Sequence, residues 1–183
     1  KLGADFIGLN FYRKVPRYIR LEEARKIARS IKKAKKVGIF VNSTLSNIKK
    51  ISKEVGLDYI QLHGNESPEF CRKVRKATKK KVIKALRLKG MNDLKKMNKF
   101  DADFFMFDAY KKGHYGGTGR SINPDLLKNV KGKYFLSGGL NHRNVKRAIK
   151  KLNPFVVDAS SGVEKSLGKK DHKKMKAFIE AAK

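Results

Sequence analysis

The sequence predicts an α/β fold of the (βα)8 TIM-barrel class, with seven of the eight βα units present in the chain. Short apolar segments alternate with amphipathic segments along the whole chain, and polar residues recur where the apolar segments end. Alternation of strands and helices implies parallel pairing with right-handed crossovers. Nearly continuous apolar strands are typical of a sheet that is covered on both faces. At this length, we expect residues 1–183 to form one domain.

Each predicted strand is a run rich in apolar residues, and each predicted helix carries apolar residues at helical spacing. In chain order, the predicted strands are 4–12, 36–42, 59–64, 81–88, 104–110, 134–140 and 155–163. The predicted helices are 21–34, 45–55, 67–78, 91–99, 124–129, 141–151 and 171–182. Ser67-Pro68 and Asn123-Pro124 are typical helix starts, because a short polar side chain caps the helix and proline fits its first position.

Polar residues at the carboxyl ends of the strands favour a barrel over the alternative, an open doubly wound sheet. In a barrel these ends converge on one face, where active sites are built. An open sheet would spread the same residues across its width. The opposite ends of the strands carry three aspartates that we expect in solvent-exposed turns, namely Asp5, Asp58 and Asp103. The polar residues at the carboxyl ends are Asn42, His63, Arg87, Asp108, Ser137 and Asp158.

The chain is strongly basic, with 46 Lys and Arg against 16 Asp and Glu and a formal net charge of +30. Such a charge indicates nucleic acid or another polyanion as a partner when it is gathered in one stripe. Here it is spread over nearly every predicted helix, without interleaved aromatic residues, so we expect solvated helix faces and no specific nucleic acid. No apolar run approaches the roughly 18 residues of a membrane span, and we expect no membrane partner. The single cysteine, Cys71, excludes an intramolecular disulfide, which favours the cytoplasm.

Two glycine- and serine-rich turns follow the last two predicted strands, in "LSGGLNHRNV" (136–145) and "VDASSGVE" (157–164). Their small residues are Gly138 and Gly139 in the first turn and Ser160, Ser161 and Gly162 in the second. Small residues let backbone N–H groups approach a ligand closely. Paired turns after the final strands of a barrel form a common phosphate site, so we predict phosphate binding here.

The chain resembles the phosphoribosylanthranilate isomerases, (βα)8 enzymes of tryptophan biosynthesis. The resemblance covers essentially all 183 residues and rests on several motifs in order: "GADFIGLNFYRKVPRYI", "VGIFVN", "LDYIQLHGNE", "FDAYKKGHYGGTGR", "LSGGLNHRNV" and "VDASSGVE". It implies an Amadori rearrangement of N-(5-phosphoribosyl)anthranilate to 1-(2-carboxyphenylamino)-1-deoxyribulose 5-phosphate, without cofactor or metal. The phosphorylated small molecule is the implied partner, and the sequence gives no oligomeric state.

By the same resemblance, Asp108 in "FDAY" is the general acid that opens the ribose ring. Such an acid must hold its proton near neutral pH, and the apolar strand "FFMF" before it supplies the desolvation that favours the neutral form. The following loop, "KKGHYGGTG" (111–119), is predicted to fold over the substrate and exclude water.

The resemblance also assigns substrate contacts outside the phosphate turns. Arg17 matches the arginine that meets the anthranilate carboxylate, while Gln61 and His63 in "QLHG" are expected to contact substrate. Asp158 is expected to orient hydrogen-bond donors near the phosphate turns. The remaining histidines, His114, His142 and His172, are expected to be solvated.

The family's general base is a cysteine in the first strand, within a "KICG"-type motif. The present chain begins with what resembles the last turn of a helix, so we expect one βα unit of about 30 residues upstream of Lys1. Cys71 lies in a predicted outer helix and is expected to pack rather than to act as this base. Residues 1–183 alone would therefore hold an acid and a substrate cradle but no base.

Two other functions stay open on the sequence. Indole-glycerol-phosphate synthase, another phosphate-binding barrel, needs a lysine acid and a pair of glutamates at strand ends. Lys84 is the one candidate for this lysine, and no matching glutamates are evident. A non-catalytic, polyanion-binding barrel would bind RNA or DNA tightly even in moderate salt.

Overall fold

A computed structural model describes residues 2–109 and 122–183 of the protein. The strands are β1 (Phe6–Asn10), β2 (Lys35–Phe40), β3 (Tyr59–Leu62), β4 (Lys81–Leu88), β5 (Phe104–Ala109), β6 (Tyr134–Leu136), β7 (Val156–Val157), β8 (Glu164–Ser166) and β9 (Lys169–Lys170). The α-helices are α1 (Leu21–Ser30), α2 (Leu45–Val55), α3 (Pro68–Thr78), α4 (Met91–Lys95), α5 (Val145–Leu152) and α6 (His172–Ala182). Short 3₁₀ helices occupy Lys96–Lys99, Pro124–Leu127 and Ser161–Val163.

The described residues form two compact units. The first unit consists mainly of Gly3–Ala85 and Asn98–Asp103. In it, β1, β2, β3 and β4 pair in parallel and in sequence order. Its core lies between this sheet and the helices that follow the strands, and it includes Leu9, Phe40, Ile48, Ile60, Leu62, Cys71, Val74 and Val82.

The second unit contains Leu86–Met97 and the described part of Phe104–Lys183. Strands β5, β6 and β7 pair in parallel, again in sequence order, with Phe107 level with Leu136 and Leu136 level with Val157. Aromatic rings stabilise the start of this sheet: Phe104 stacks on Phe155 with a centroid distance of 5.8 Å. An antiparallel hairpin, β8–β9, precedes α6.

The helix starts predicted from sequence are confirmed. Ser67 Oγ accepts a hydrogen bond from Phe70 N at 3.1 Å, and Pro68 is the first residue of α3. Asn123 Oδ1 accepts from Asp125 N at 3.0 Å, but the helix that follows is a single 3₁₀ turn rather than an α-helix.

Several strands end earlier than predicted at their carboxyl ends. Strand β6 ends at Leu136 rather than at residue 140, because Gly138 and Gly139 adopt left-handed φ angles of 97° and 63° that leave the β region. Strand β7 is confined to two residues, and a 3₁₀ turn follows where the sequence predicts further strand. The β8–β9 hairpin was not predicted, because "KSLGKK" lacks the alternation of apolar and polar residues that marks a strand.

Two of the three aspartates expected in exposed turns are half-buried instead. Asp58 Oδ2 accepts from Lys36 N at 2.8 Å, and Asp103 Oδ2 accepts from Val82 N at 2.9 Å. Each carboxylate therefore satisfies a backbone donor at the start of a neighbouring strand, while Asp5 is exposed as expected. Among the helices of the described residues, none has the length and apolar character that crossing a bilayer requires.

Candidate active site

The carboxyl ends of β5, β6 and β7 bring Asp108, Ser137 and Asp158 level with one another in the second unit. The ladder continues past the paired residues, because Ser137 N donates to Phe107 O at 2.9 Å and Asp158 N donates to Leu136 O at 2.8 Å. Ser137 Oγ also donates to Asp158 Oδ2 at 3.2 Å. The predicted acid and the starts of both glycine- and serine-rich turns thus lie at one end of this sheet.

Asp108 is almost completely buried, with 1% of its surface exposed. The preceding residues Met106 and Phe107 are buried as well, so the carboxyl group sits at the end of an apolar strand as the sequence predicts. Ala109 N donates to Asp108 Oδ1 at 2.8 Å and fixes the orientation of the carboxyl group.

The first turn, at Gly138 and Gly139, is held in place by two asparagines of the "LNHRN" segment. Asn144 Nδ2 donates to Gly139 O at 3.0 Å, and Asn144 Oδ1 accepts from Asn141 N at 2.8 Å. Sequence reasoning did not single out these asparagines; their clue was the spacing of a polar amide at a helix start.

The second turn packs directly against the first. A Cβ atom at Gly162 would overlap the carbonyl oxygen of Leu140 and lie 2.9 Å from its carbonyl carbon. A lysine that the sequence did not indicate supports this turn: Lys170 Nζ donates to Ser160 O at 2.9 Å and pairs with Glu164 Oε1 at 3.0 Å. Lys170 was missed because it belongs to the unpredicted β8–β9 hairpin.

In the first unit, Gln61 and His63 form a buried pair at the end of β3. Only 4% of Gln61 and 6% of His63 is exposed, and Gln61 Nε2 lies 2.7 Å from His63 Nδ1. An amide nitrogen donates and cannot accept, so Nδ1 is the acceptor and the neutral ring carries its proton on Nε2. His63 is thereby prepared as a hydrogen-bond donor.

Arg17 is half-buried in the segment that follows β1. This segment turns back on the strand: Ile19 N donates to Asn10 O at 2.9 Å, and Tyr12 N donates to Asn10 Oδ1 at 2.9 Å. The loop that bears Arg17 is therefore tied to the carboxyl end of β1.

Behind the Gln61–His63 pair lies a buried ion pair that the sequence did not reveal. Lys84 Nζ lies 2.7 Å from Glu66 Oε2, and the two side chains are only 3% and 2% exposed. Lys84, the lysine considered for indole-glycerol-phosphate synthase chemistry, is thus paired with a glutamate from the turn after β3.

Two further sequence expectations concern cysteine and histidine. Cys71 is fully buried in α3, and burial raises the pKa of its thiol to about 11. Packing rather than catalysis is its predicted role.

Of the histidines expected to be solvated, His172 is exposed. His142 is half-buried, and its Nδ1 atom is buried without a partner among the described residues, so the expectation of a solvated ring is wrong for it. His114 and the predicted covering loop, 111–119, lie outside the described residues.

The family model for N-(5'-phosphoribosyl)anthranilate isomerase matches residues 1–181. The chain belongs to this isomerase family. A relative named N-(5'-phosphoribosyl)anthranilate isomerase from Rubrobacter xylanophilus is 40% identical over 185 residues, which cover 99% of this chain and 89% of the relative.

Solved structures of phosphoribosylanthranilate isomerases share the fold. The enzyme from Thermotoga maritima is 36% identical with a TM-score of 0.88, covering 99% of this chain and 89% of that one. A phosphoribosylanthranilate isomerase in complex with reduced 1-(o-carboxyphenylamino)-1-deoxyribulose 5-phosphate is also 36% identical, with a TM-score of 0.85 and coverage of 99% and 88%. The family, the barrel class and the isomerase function in tryptophan biosynthesis predicted from the sequence are therefore confirmed.

Proposed function

We propose that Asp108 is the general acid of the isomerase family's reaction in this protein. The reaction converts N-(5'-phosphoribosyl)anthranilate to 1-(2-carboxyphenylamino)-1-deoxyribulose 5-phosphate. The observation that carries the residue assignment is the buried carboxyl group of Asp108 at the end of β5, level with the two turns that follow β6 and β7. No cofactor is part of this mechanism.

Asp108 acts in the ring-opening step. Its proton is transferred to the furanose ring oxygen as the bond from this oxygen to C1′ breaks, which leaves a Schiff base between C1′ and the anthranilate nitrogen. Removal of the C2′ proton then gives an enolamine, which tautomerises to the ketone of the product. A buried carboxyl group with a fixed orientation is suited to the first step, since general acid catalysis requires a positioned proton donor.

The phosphate group binds to the two turns, at Gly138 and Gly139 and at Ser160, Ser161 and Gly162. The close packing of Gly162 on Leu140 supports this role, because it makes the two turns one continuous backbone surface. Asp158 orients Ser137 through the 3.2 Å hydrogen bond and does not itself touch phosphate, since two anions in contact would repel.

The family resemblance assigns the rest of the substrate to Arg17, His63 and Gln61. Arg17 pairs with the anthranilate carboxylate, for which a planar guanidinium offers two parallel donors. His63 donates from Nε2 to an oxygen of the substrate, and Gln61 holds the ring in the tautomer that allows it. We assign the general base to the family's first-strand cysteine and not to Cys71, whose buried thiol has its pKa raised to about 11.

The proposal extends to the domain, its partner and its compartment. Residues 1–183 belong to a single TIM-barrel domain, and its partner is a phosphorylated small molecule. The protein works in the cytoplasm, since its cysteine is a buried free thiol that suits a reducing compartment.

The decisive experiment is Asp108→Asn in the full-length protein. We expect kcat to fall by about 10²- to 10⁴-fold, the range typical of a lost general acid. The assay follows the loss of anthranilate fluorescence as substrate is consumed. Binding of the reduced product analogue should be retained, because the amide keeps the shape of the side chain. Full activity of the variant would refute the acid assignment.

A further inference from the structure

The buried pair of Lys84 and Glu66 has no role in the reaction steps above, yet burial makes it costly. Removing two charges from water costs several kcal/mol per ion, and an apolar pair of the same size is often as stable. Both side chains are almost fully buried, and their charged atoms lie 2.7 Å apart. A gain in folding stability therefore does not explain why the pair is present. The hydrogen bonds of the pair indicate a second role.

The three donors of the Lys84 ammonium group are directed at the turn that follows β3. Nζ donates to Leu62 O at 3.3 Å, to Gly64 O at 2.9 Å and to Glu66 Oε2 at 2.7 Å. An ammonium group has three N–H bonds, so this set uses all of them. Leu62 and Gly64 are the two neighbours of His63, and Lys84 thus holds the backbone on both sides of that histidine.

Glu66 completes the arrangement from the other side of the turn. Its Oε1 atom accepts from Asn42 N at 2.8 Å, and its Oε2 atom accepts from Gly64 N at 3.0 Å. The amide oxygen of Asn42 accepts from Asn65 N at 2.8 Å. The carboxylate therefore ties the turn after β3 to the segment after β2.

The pair acts from the face of the sheet opposite to the side chain of Gln61. Lys84 is level with Leu62, whose side chain packs in the core with residues of α2 and α3, while Gln61 is level with Ile83. Because successive side chains of a strand alternate between faces, Gln61 lies on the other side from Lys84. Lys84 cannot act on substrate directly, and its influence passes through the backbone.

We propose that Lys84 and Glu66 are positioning residues for the isomerase reaction, which fix the backbone on both sides of His63 so that its ring is held for substrate. This inference rests on the proposed substrate contact of His63. It also predicts that the fixed tautomer, with the proton on Nε2, depends on the pair, since movement of the turn would separate Gln61 from the ring.

The test replaces both charges at once, because removal of one partner would leave a buried charge unpaired. In the full-length protein, Lys84→Met combined with Glu66→Gln keeps the size of both side chains and the acceptor for Gly64 N. We expect kcat/KM to fall by about 10- to 100-fold, as small misplacements of a binding group do. The matched control is Lys73→Met with Glu69→Gln, an exposed pair on α3 with the same 2.7 Å separation; it should keep wild-type activity.

Two further measurements separate positioning from a loss of folding. Long-range ¹H–¹⁵N spectra of His63 should show the single Nε2-protonated form in the wild type and in the control, and a mixture of tautomers in the Lys84/Glu66 variant. In the unmodified protein, hydrogen exchange of the Gly64 amide should be slowed by at least about 100-fold relative to an open loop amide. Because the hydrogen-exchange measurement uses the unmodified protein, it tests the proposal even if the Lys84/Glu66 variant does not fold. Wild-type kinetics and an unchanged His63 spectrum in the folded variant would overturn the proposal, as would an unprotected Gly64 amide.

His63→Ala distinguishes the two hypotheses. If it weakens binding of the reduced product analogue while the Lys84/Glu66 variant does not, the positioning role is wrong and the proposed function stands. If His63→Ala leaves that binding unchanged, the contact assigned to His63 is wrong and the positioning role falls with it, while the Asp108 assignment is tested separately.

Discussion

At the residue scale, burial gives identical chemical groups different roles. Asp108 is 1% exposed at the end of an apolar strand, whereas Asp58 and Asp103 use their carboxylates to satisfy backbone donors. We assign the former side chain to the reaction, whereas the latter two hold the starts of neighbouring strands. The sequence separates these aspartates by the end of the strand at which they lie, but it does not show that Asp58 and Asp103 bind backbone donors.

Cys71 gives a prediction about stability and pH. Burial raises the pKa of its thiol from 9.0 to about 11, so the folded protein holds the proton more tightly than the unfolded chain. The unfolded chain therefore loses its proton first as pH rises, and stability contributed by Cys71 is complete below pH 9 and lost between pH 9 and 11. We expect the wild type to lose roughly 2–3 kcal/mol in unfolding free energy over this window relative to Cys71→Ala.

Urea denaturation of both proteins at pH 8, 9, 10 and 11 measures this difference. The comparison with Cys71→Ala cancels the titration of lysines and tyrosines, which both proteins share. A stability difference that does not change with pH would show that the thiol ionises equally in the folded and unfolded states.

At the scale of elements, most of the sheet was predictable and the ends of the strands were not. Strand β4 and helix α2 have the predicted bounds, and α3 differs by its cap residue alone. These elements are long, periodic and bounded by clear start signals. The last turns depend instead on left-handed glycines and on the β8–β9 hairpin, whose pairing comes from contacts that no local pattern records.

The candidate site was predictable to a similar degree. The polar residues at the strand ends were visible because they interrupt apolar runs, and Asp108 and both turns lie at one end of their sheet as predicted. Glu66 and Lys170 were not found, and the pairing of Lys84 with Glu66 was missed, since each of these residues works through a partner 6 to 18 residues away in sequence. The roles of individual residues toward substrate stay predictions.

The contact between the two turns predicts the effect of Gly162→Ala. The added methyl group would overlap the carbonyl of Leu140, so one turn must move away from the other. We expect affinity for the reduced product analogue to fall by about 10-fold or more, because backbone donors 1 Å out of place lose most of their strength.

Calorimetric titration measures this affinity, and Gly90→Ala is the matched control. A Cβ atom at Gly90 meets no atom within 4 Å, and its φ of −173° is open to any residue. Equal affinity in both variants would show that the turns can separate without consequence and would count against a shared phosphate site.

At the scale of the whole molecule, the net charge of +30 has consequences for association. The substrate carries a phosphate and a carboxylate, so a positive field should speed its capture at low salt. Replacing the exposed Lys49, Lys50 and Lys53 of α2 by glutamine should lower kcat/KM by about 2-fold in dilute buffer. At 0.5 M salt the variant and wild type should agree, because screening removes long-range attraction.

Initial rates over a series of salt concentrations test this expectation, and identical salt dependence in the two proteins would exclude electrostatic capture. Retention on an immobilised polyanion serves as the companion measurement. Adventitious adhesion falls steeply as salt rises, whereas retention in high salt would indicate a dedicated polyanion partner.

The early ends of β6 and β7 have an evolutionary consequence. The strands end at Leu136 and Val157, and the residues at the site begin one position later, where Ser137 and Asp158 bond to the neighbouring strand through their backbone N–H groups. A mutation at these positions can therefore replace one reactive side chain by another without removing a backbone hydrogen bond of the sheet. Proteins with this arrangement can change substrate specificity during evolution while the fold is retained, so one backbone can serve several activities in succession.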